Sequence, residues 1–161
     1  MKIALGCDHA GYELKESLKE FLKEEGQSCD DLGPDSPELT DYPDWAARVA
    51  RLVSSGQLER GILICSTGVG MSVVANKFPG VRAALVTDPV MARKSKEHNN
   101  SNILVLSSAL TTKAQARGMV KEWLEAEFAG GKHQDRLEKI FEIERALFKT
   151  DNQGRSKAEE E

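Results

Sequence analysis

The stretch from Gly61 to Lys77, GILICSTGVGMSVVANK, concentrates residues that could do chemistry. Ile62 to Cys65 is an apolar, partly β-branched run that predicts a buried strand. Ser66 to Gly70 holds two glycines and a threonine, and Met71 to Lys77 can continue as a helix. A strand that passes through a Gly-rich loop straight into a helix aims several backbone N–H groups at one place, where an anion or a developing oxyanion can be held. Cys65 sits at the edge of that place, a setting that favours thiolate over thiol. The plain structural alternative is a buried cysteine beside a tight turn.

Near misses narrow the chemistry. A nucleotide-binding Walker loop needs Gly-Lys-Ser/Thr at its end, whereas Gly70 is followed by Met71 and Ser72. A dinucleotide fingerprint needs Gly or Ala three places after Gly70, where Val73 stands. A cysteine phosphatase would close its loop with an arginine, and that position is Met71. What remains is a thiol with oxyanion donors and no built-in cation, suited to moving protons on a small polar substrate.

The elements that must hold this loop follow from periodicity. Lys2 to Cys7 predicts a first buried strand, which ends in Asp8-His9-Ala10-Gly11. From Tyr12 to Glu25 the residues Leu14, Leu18, Phe21 and Leu22 recur at helical spacing, with Gly26 as a cap. A weak strand at Ser28 to Leu32 precedes a Gly/Pro/Asp/Ser loop, and Asp41 with Pro43 opens a second helix. After the central strand come a strand at Val81 to Val86 and a helix from Asp88-Pro89 to about His98, which Asn99-Asn100 ends. A fifth strand spans Ile103 to Leu106, and Thr112 and Gln115 have capping-box spacing for the next helix. Gly130-Gly131 breaks that helix before a last amphipathic one with Leu137, Ile140, Phe141, Ile143 and Leu147.

Five short strands alternating with helices predict an α/β fold: a three-layer, Rossmann-like, doubly wound five-stranded parallel sheet with helices on both faces. Ligands bind such sheets at the carboxyl ends of the strands, which is where Asp8, His9 and Cys65 fall. Residues 1–149 are expected to form one domain. The tail from Thr150 to Glu161, with a single alanine as its apolar residue, is expected to be disordered.

Composition excludes several classes of function. The chain has 161 residues, 40% of them hydrophobic and 30% charged, with 22 basic residues scattered among 26 acidic ones for a net charge of −4. No basic footprint for nucleic acid is present, and no apolar run approaches the about 20 residues of a membrane helix. Met1-Lys2 leads directly into a strand without a signal peptide, so a cytoplasmic location is expected. Cys7, Cys29 and Cys65 are odd in number and widely spaced, which predicts reduced thiols.

Six collinear motifs, GCDHAGYELK, TDYPD at residues 40–44, GILICSTGVGMSVVANK, GVRAAL from residue 80, EHNNSNIL around His98 and GGKHQDR near residue 132, resemble the type B ribose-5-phosphate isomerases and the related galactose and allose 6-phosphate isomerases. They span the chain except for its tail. The resemblance implies aldose–ketose isomerisation through an enediol in pentose phosphate metabolism, with no metal and no organic cofactor. Cys65 matches the general base, Thr67 lies near the reacting oxygens, and His98 opens the furanose ring. Main-chain amides of Ser66, Gly68, Val69 and Gly70 would stabilise the enediolate. Asp8, Tyr42 and Asn99 would contact sugar hydroxyls, while His9, Lys132 and Arg136 would lie toward the phosphate. Family members usually carry Gly at Ser66, Arg at Lys132 and often Arg at Ala109. The last helix is expected to reach a second subunit, so that a homodimer or dimer of dimers shares its sites.

Each residue also has an ordinary role open to it: Asp8 as an N-cap, Tyr42 as a staple, Asn99 as a C-cap, Lys132 and Arg136 as a solvated helix face. Two other functions stay in view, a six-carbon sugar-phosphate isomerase and a sugar-phosphate binder without catalysis. A metal site from Cys7, His9, Cys65 or His98 lacks ligand spacing.

Overall fold

The computed structural model describes residues 2–155, with side chains through residue 148. Eleven strands and helices alternate as expected: β1 (Lys2–Cys7), α1 (Tyr12–Glu24), β2 (Ser28–Asp31), α2 (Tyr42–Ser54), β3 (Arg60–Cys65), α3 (Val69–Ala75), β4 (Ala83–Leu85), α4 (Pro89–Asn99), β5 (Ile103–Ser107), α5 (Lys113–Glu125) and α6 (Lys132–Arg155). A single 3₁₀ turn, His9–Gly11, links β1 to α1.

The sheet has the order β2-β1-β3-β5-β4, and all its neighbours pair in parallel. Chain direction reverses between β1 and β3: β2 is laid on one side of β1 and β3 on the other. That reversal opens a crevice between the carboxyl ends of these two strands, the usual ligand position in an open α/β sheet.

Strand alternation sorts the core into two layers. Ile3, Leu5, Cys7, Ile62, Ile64, Leu104 and Leu106 face α1, α4 and α5, where Leu18, Leu22, Ala92, Met119 and Trp123 pack on them. Ala4, Leu63, Cys65, Ile103 and Val105 face α2 and α3, against Ala46, Val49, Ala50, Met71 and Ala75. The expected three layers are therefore present. On the second face α2 lies close to the sheet, because a Cβ at Gly6 or Gly61 would fall 2.8 or 2.7 Å from Val49.

Two predicted caps form as expected. Asp88 accepts from Met91 N at 2.8 Å, and Thr112 and Gln115 make the reciprocal capping box. Elsewhere the boundaries move. The helix after the Gly-rich loop begins at Val69 rather than Met71. β4 is three residues long, because the Arg82 and Ala83 amides are taken by the side chains of Asn102 and Asn76.

By internal contacts the chain falls into two compact units, residues 1–128 and 129–161, where the sequence predicts one domain through residue 149. Gly130 and Gly131, at φ +62 and +56, make the break between α5 and α6. The helix expected to end near residue 149 continues through Arg155, since extending an existing helix orders one residue per added hydrogen bond. The remainder of the expected tail, residues 156–161, lies outside the described residues. No helix among the described residues is long and apolar enough to cross a membrane.

Candidate active site

At the β1/β3 crevice the carboxyl ends of both strands lead into the candidate site residues. Asp8 is buried, and its Oδ1 accepts from Gly11 N at 3.1 Å, so the carboxylate caps the 3₁₀ turn. Its own N–H donates to Ile64 O at 3.2 Å, which ties the turn to β3 one residue before Cys65. Gly11 is required here, because a Cβ on it would lie 2.7 Å from Ile64 O. His9 projects from the same turn, with Nδ1 3.1 Å from Thr40 O. Thr40 in turn takes the Trp45 indole N–H on its hydroxyl.

Cys65 ends β3 with its side chain on the α2/α3 face, 5% exposed. The Gly68 N–H donates to its Sγ at 3.2 Å. Gly68 has φ +78, and a Cβ on it would meet Leu85 Cδ1 at 2.5 Å, so the turn that aims this amide at the sulfur needs glycine. Ser66, Thr67 and Val69 are exposed on the loop, and Thr67 Oγ1 accepts from Val69 N at 3.4 Å. Two of the amides expected to serve an oxyanion are thus engaged locally, Gly68 with the thiol and Val69 with Thr67. The loop is braced from β5: Ser107 Oγ donates to Ser66 O at 2.6 Å, and Ser108 N to Cys65 O at 2.9 Å. Tyr42, at the first turn of α2, lays its ring against Gly70.

The other two cysteines lack this setting. Burial pushes the Cys7 thiol up to about 12, outweighing the lowering effect of Lys15, and Cys29 is also raised by burial. Among the described residues no three His, Cys, Asp or Glu side chains are grouped so as to hold a metal ion.

His98 and Asn99 are not brought to Cys65 within one chain. They end α4, which runs back from β4 to the amino edge of the sheet. Just beyond them Asn102 O accepts from Gly61 N, at the start of β3. From Gly61 the strand rises four residues, about 13 Å, to Cys65. A histidine side chain is too short to span that. Lys132 and Arg136 belong to the second unit, four residues apart at the start of α6 and both exposed. Sequence reasoning passed over Ser107, which braces the loop, and Thr40, which engages His9. The TDYPD motif contains Thr40, but only the fold pairs it with residue 9.

The chain matches the family model described as Ribose/Galactose Isomerase over residues 3–140. It is similar to ribose-5-phosphate isomerase B of Escherichia coli (strain K12), 46% identical over 143 residues that cover 89% of this chain and 96% of that protein. A putative sugar phosphate isomerase of Bacillus subtilis (strain 168) is 43% identical over 145 residues, covering 89% and 97%. Among solved structures, Clostridium thermocellum ribose-5-phosphate isomerase B superposes with TM-score 0.89 at 48% identity, covering 91% of this chain and 99% of that one. The Mycoplasma genitalium enzyme with bound ribulose-5-phosphate superposes with TM-score 0.87 at 41% identity, covering 89% and 96%. A family model spanning most of the chain and relatives this similar over nearly their whole length place the chain in the ribose/galactose isomerase family.

Proposed function

We propose that this chain interconverts ribose 5-phosphate and ribulose 5-phosphate through an enediol, in the cytoplasm, as a homodimer or dimer of dimers and without metal or organic cofactor. The observation that carries the reading is the Gly68 N–H directed at Cys65 Sγ, 3.2 Å away, at the β1/β3 crevice. A main-chain donor there hydrogen-bonds the sulfur that would act as the base and fixes its position in the loop.

His98 of a second copy opens the furanose: it takes the proton from the O1 hydroxyl and returns one to the ring oxygen O4. The C1–O4 bond breaks as the C1 carbonyl forms. Cys65 then removes the C2 proton and returns it to C1, while Thr67 handles the proton shared between O1 and O2. Charge on the enediolate oxygens is met by the loop amides not already engaged, and one such donor is worth about 3 kcal/mol. Asp8, Tyr42 and Asn99 hold the sugar hydroxyls. His9, Lys132 and Arg136 meet the phosphate, with lysine acting as a point charge in place of a guanidinium fork.

A hexose 6-phosphate is the second reading, favoured by the changed phosphate end: Lys132 instead of Arg, and Ala109, exposed beside the loop, with no cation. The test is turnover of ribose 5-phosphate against allose and galactose 6-phosphates, with Cys65→Ala alongside. Preference for the pentose, and loss of turnover by at least about a thousandfold in the variant with ligand binding retained, is expected. Preference for a hexose overturns the substrate. Wild-type protein that binds sugar phosphate but never exchanges its C2 proton with solvent is a binder.

A further inference from the structure

The carboxyl end of α4 is held by more than a helix terminus needs. Asn100 follows the helix at φ +45, the left-handed region that Asn tolerates better than most residues. Its N–H bonds Lys96 O at 3.0 Å, the 5→1 bond of an αL cap, and Ser101 N reaches back to Ser95 O at 3.0 Å. Beneath the turn Ser95 Oγ and Ser101 Oγ are 2.8 Å apart, and Trp123 Nε1 donates to Ser101 Oγ at 2.8 Å. These contacts take up the Ser95 and Lys96 carbonyls of the last turn.

Two cations are added on top. Lys96 Nζ donates to Asn100 Oδ1 at 2.6 Å, and Arg82 Nε donates to Asn100 O at 2.9 Å. Arg60, with its guanidinium over the Trp123 ring, is a third cation within electrostatic reach. Burial first, then the charges of Arg60 and Arg82, hold the Lys96 ammonium down at about 8, with Glu59 opposing. A lysine kept half-buried beside like charges is locally unfavourable, and such conflicts gather at functional sites. The two residues immediately before Asn100 are His98 and Asn99.

We propose that Lys96 and Asn100 are positioning residues for ring opening, Lys96 and Arg82 together clamping both oxygens of Asn100 so that the turn presents His98 and Asn99 in one geometry to the crevice of a second copy. This rests on the role given to His98 above. A misplacement of about 1 Å in a reacting group can cost 10²-fold in rate, so a clamp on the adjacent residue is enough to matter.

Ring opening can be separated from proton transfer by the choice of substrate. Ribose 5-phosphate is mostly a closed furanose. Ribulose 5-phosphate is open, because the hydroxyl that would close a five-membered ring on C2 carries the phosphate. Two rates are therefore measured on the full chain: isomerisation of ribose 5-phosphate, and wash-in of solvent deuterium at C1 of ribulose 5-phosphate, which needs Cys65 but no ring step. Lys96→Met and Asn100→Gly are the variants. Glycine keeps the left-handed backbone and the main-chain carbonyl held by Arg82, and removes the side chain that accepts from Lys96.

The expected result is a loss of at least about tenfold in isomerisation, with deuterium wash-in within about twofold of wild type. Lys96→Arg, which keeps a cation and a donor, should recover most of the loss. An equal fall in both rates means that the clamp only stabilises α4, and no fall in isomerisation means that it does nothing for the reaction. Either result overturns the proposal. Wild-type protein that gives neither rate sinks the isomerase reading itself, a distinct outcome.

Discussion

The ring of Tyr42 fills the space that a side chain at residue 70 would need: a Cβ on Gly70 would lie 2.6 Å from Tyr42 Cε2 and 2.7 Å from Cζ. The relationship joins the first turn of α2 to the Gly-rich loop after β3. It depends on α2 lying close to the sheet over Gly6 and Gly61, so one strand glycine near the crevice and one near the start of β3 help set where the Tyr42 ring stands.

Gly70→Ala should therefore displace Tyr42 while leaving Cys65 and Gly68 in place. The expected effect is a rise in KM of roughly tenfold, the ~1.4 kcal/mol scale of one good sugar hydrogen bond, with kcat changed much less. Steady-state kinetics on ribose 5-phosphate reads the split. A fall confined to kcat would place the tyrosine outside the substrate contacts.

A buried ion pair supports the other side of the site. Lys15, fully buried in α1, donates to Asp31 Oδ1 at 2.6 Å and to Pro34 O at 2.8 Å. Asp31 also accepts from Gly33 N at 3.0 Å, which fixes the start of the loop that ends at Thr40 beside His9. Asp31→Asn removes the nearer of the two carboxylates of the buried ammonium and leaves it Glu16 at 3.4 Å, at a cost of about 2 kcal/mol near neutral pH. Chemical denaturation would show it.

The same pair has a pH signature. Burial acts to raise the Asp31 carboxyl, but hydrogen bonds from Lys15, Lys19 and Gly33 N outweigh it, and the net shift is downward from 3.8. A folded pKa below the unfolded one means stability that is fully present above about pH 3.8 and is lost as pH falls through the folded value. The difference between wild type and Asp31→Asn should accordingly shrink in acid below that pH. A constant difference down to pH 2 would mean that the carboxylate charge is not what holds Lys15.

The sheet, the order of its elements and the two caps at Asp88 and Thr112 were legible in the sequence, because each rests on local periodicity or a short polar signal. The crevice loop was legible for the same reason: Gly68 announces an unusual backbone, which its φ of +78 bears out. What stayed hidden was non-local. Lys15 reads as one more charged residue among the lysines and glutamates of an amphipathic helix, and only the loop Asp31–Pro34 folding over α1 makes it interior. The distance between His98 and Cys65 was hidden too, since motif order along the chain says nothing about which edge of the sheet a helix returns to.

That separation supplies the last prediction. If each site joins Cys65 of one copy to His98 of another, then Cys65→Ala and His98→Gln should be nearly inactive alone and active when mixed. In a mixed dimer one site inherits both substitutions, while the other keeps an intact Cys65 from one chain and an intact His98 from its mate. Random reassortment makes half the dimers mixed, each with one working site of two, so recovery should approach about a quarter of wild-type activity. Unfolding and refolding the two variants together, then measuring turnover against the same variants refolded apart, tests this. No recovery from chains shown to have exchanged would mean that the histidine reaches the thiol of its own chain by a rearrangement of α4, and the shared-site reading would fail.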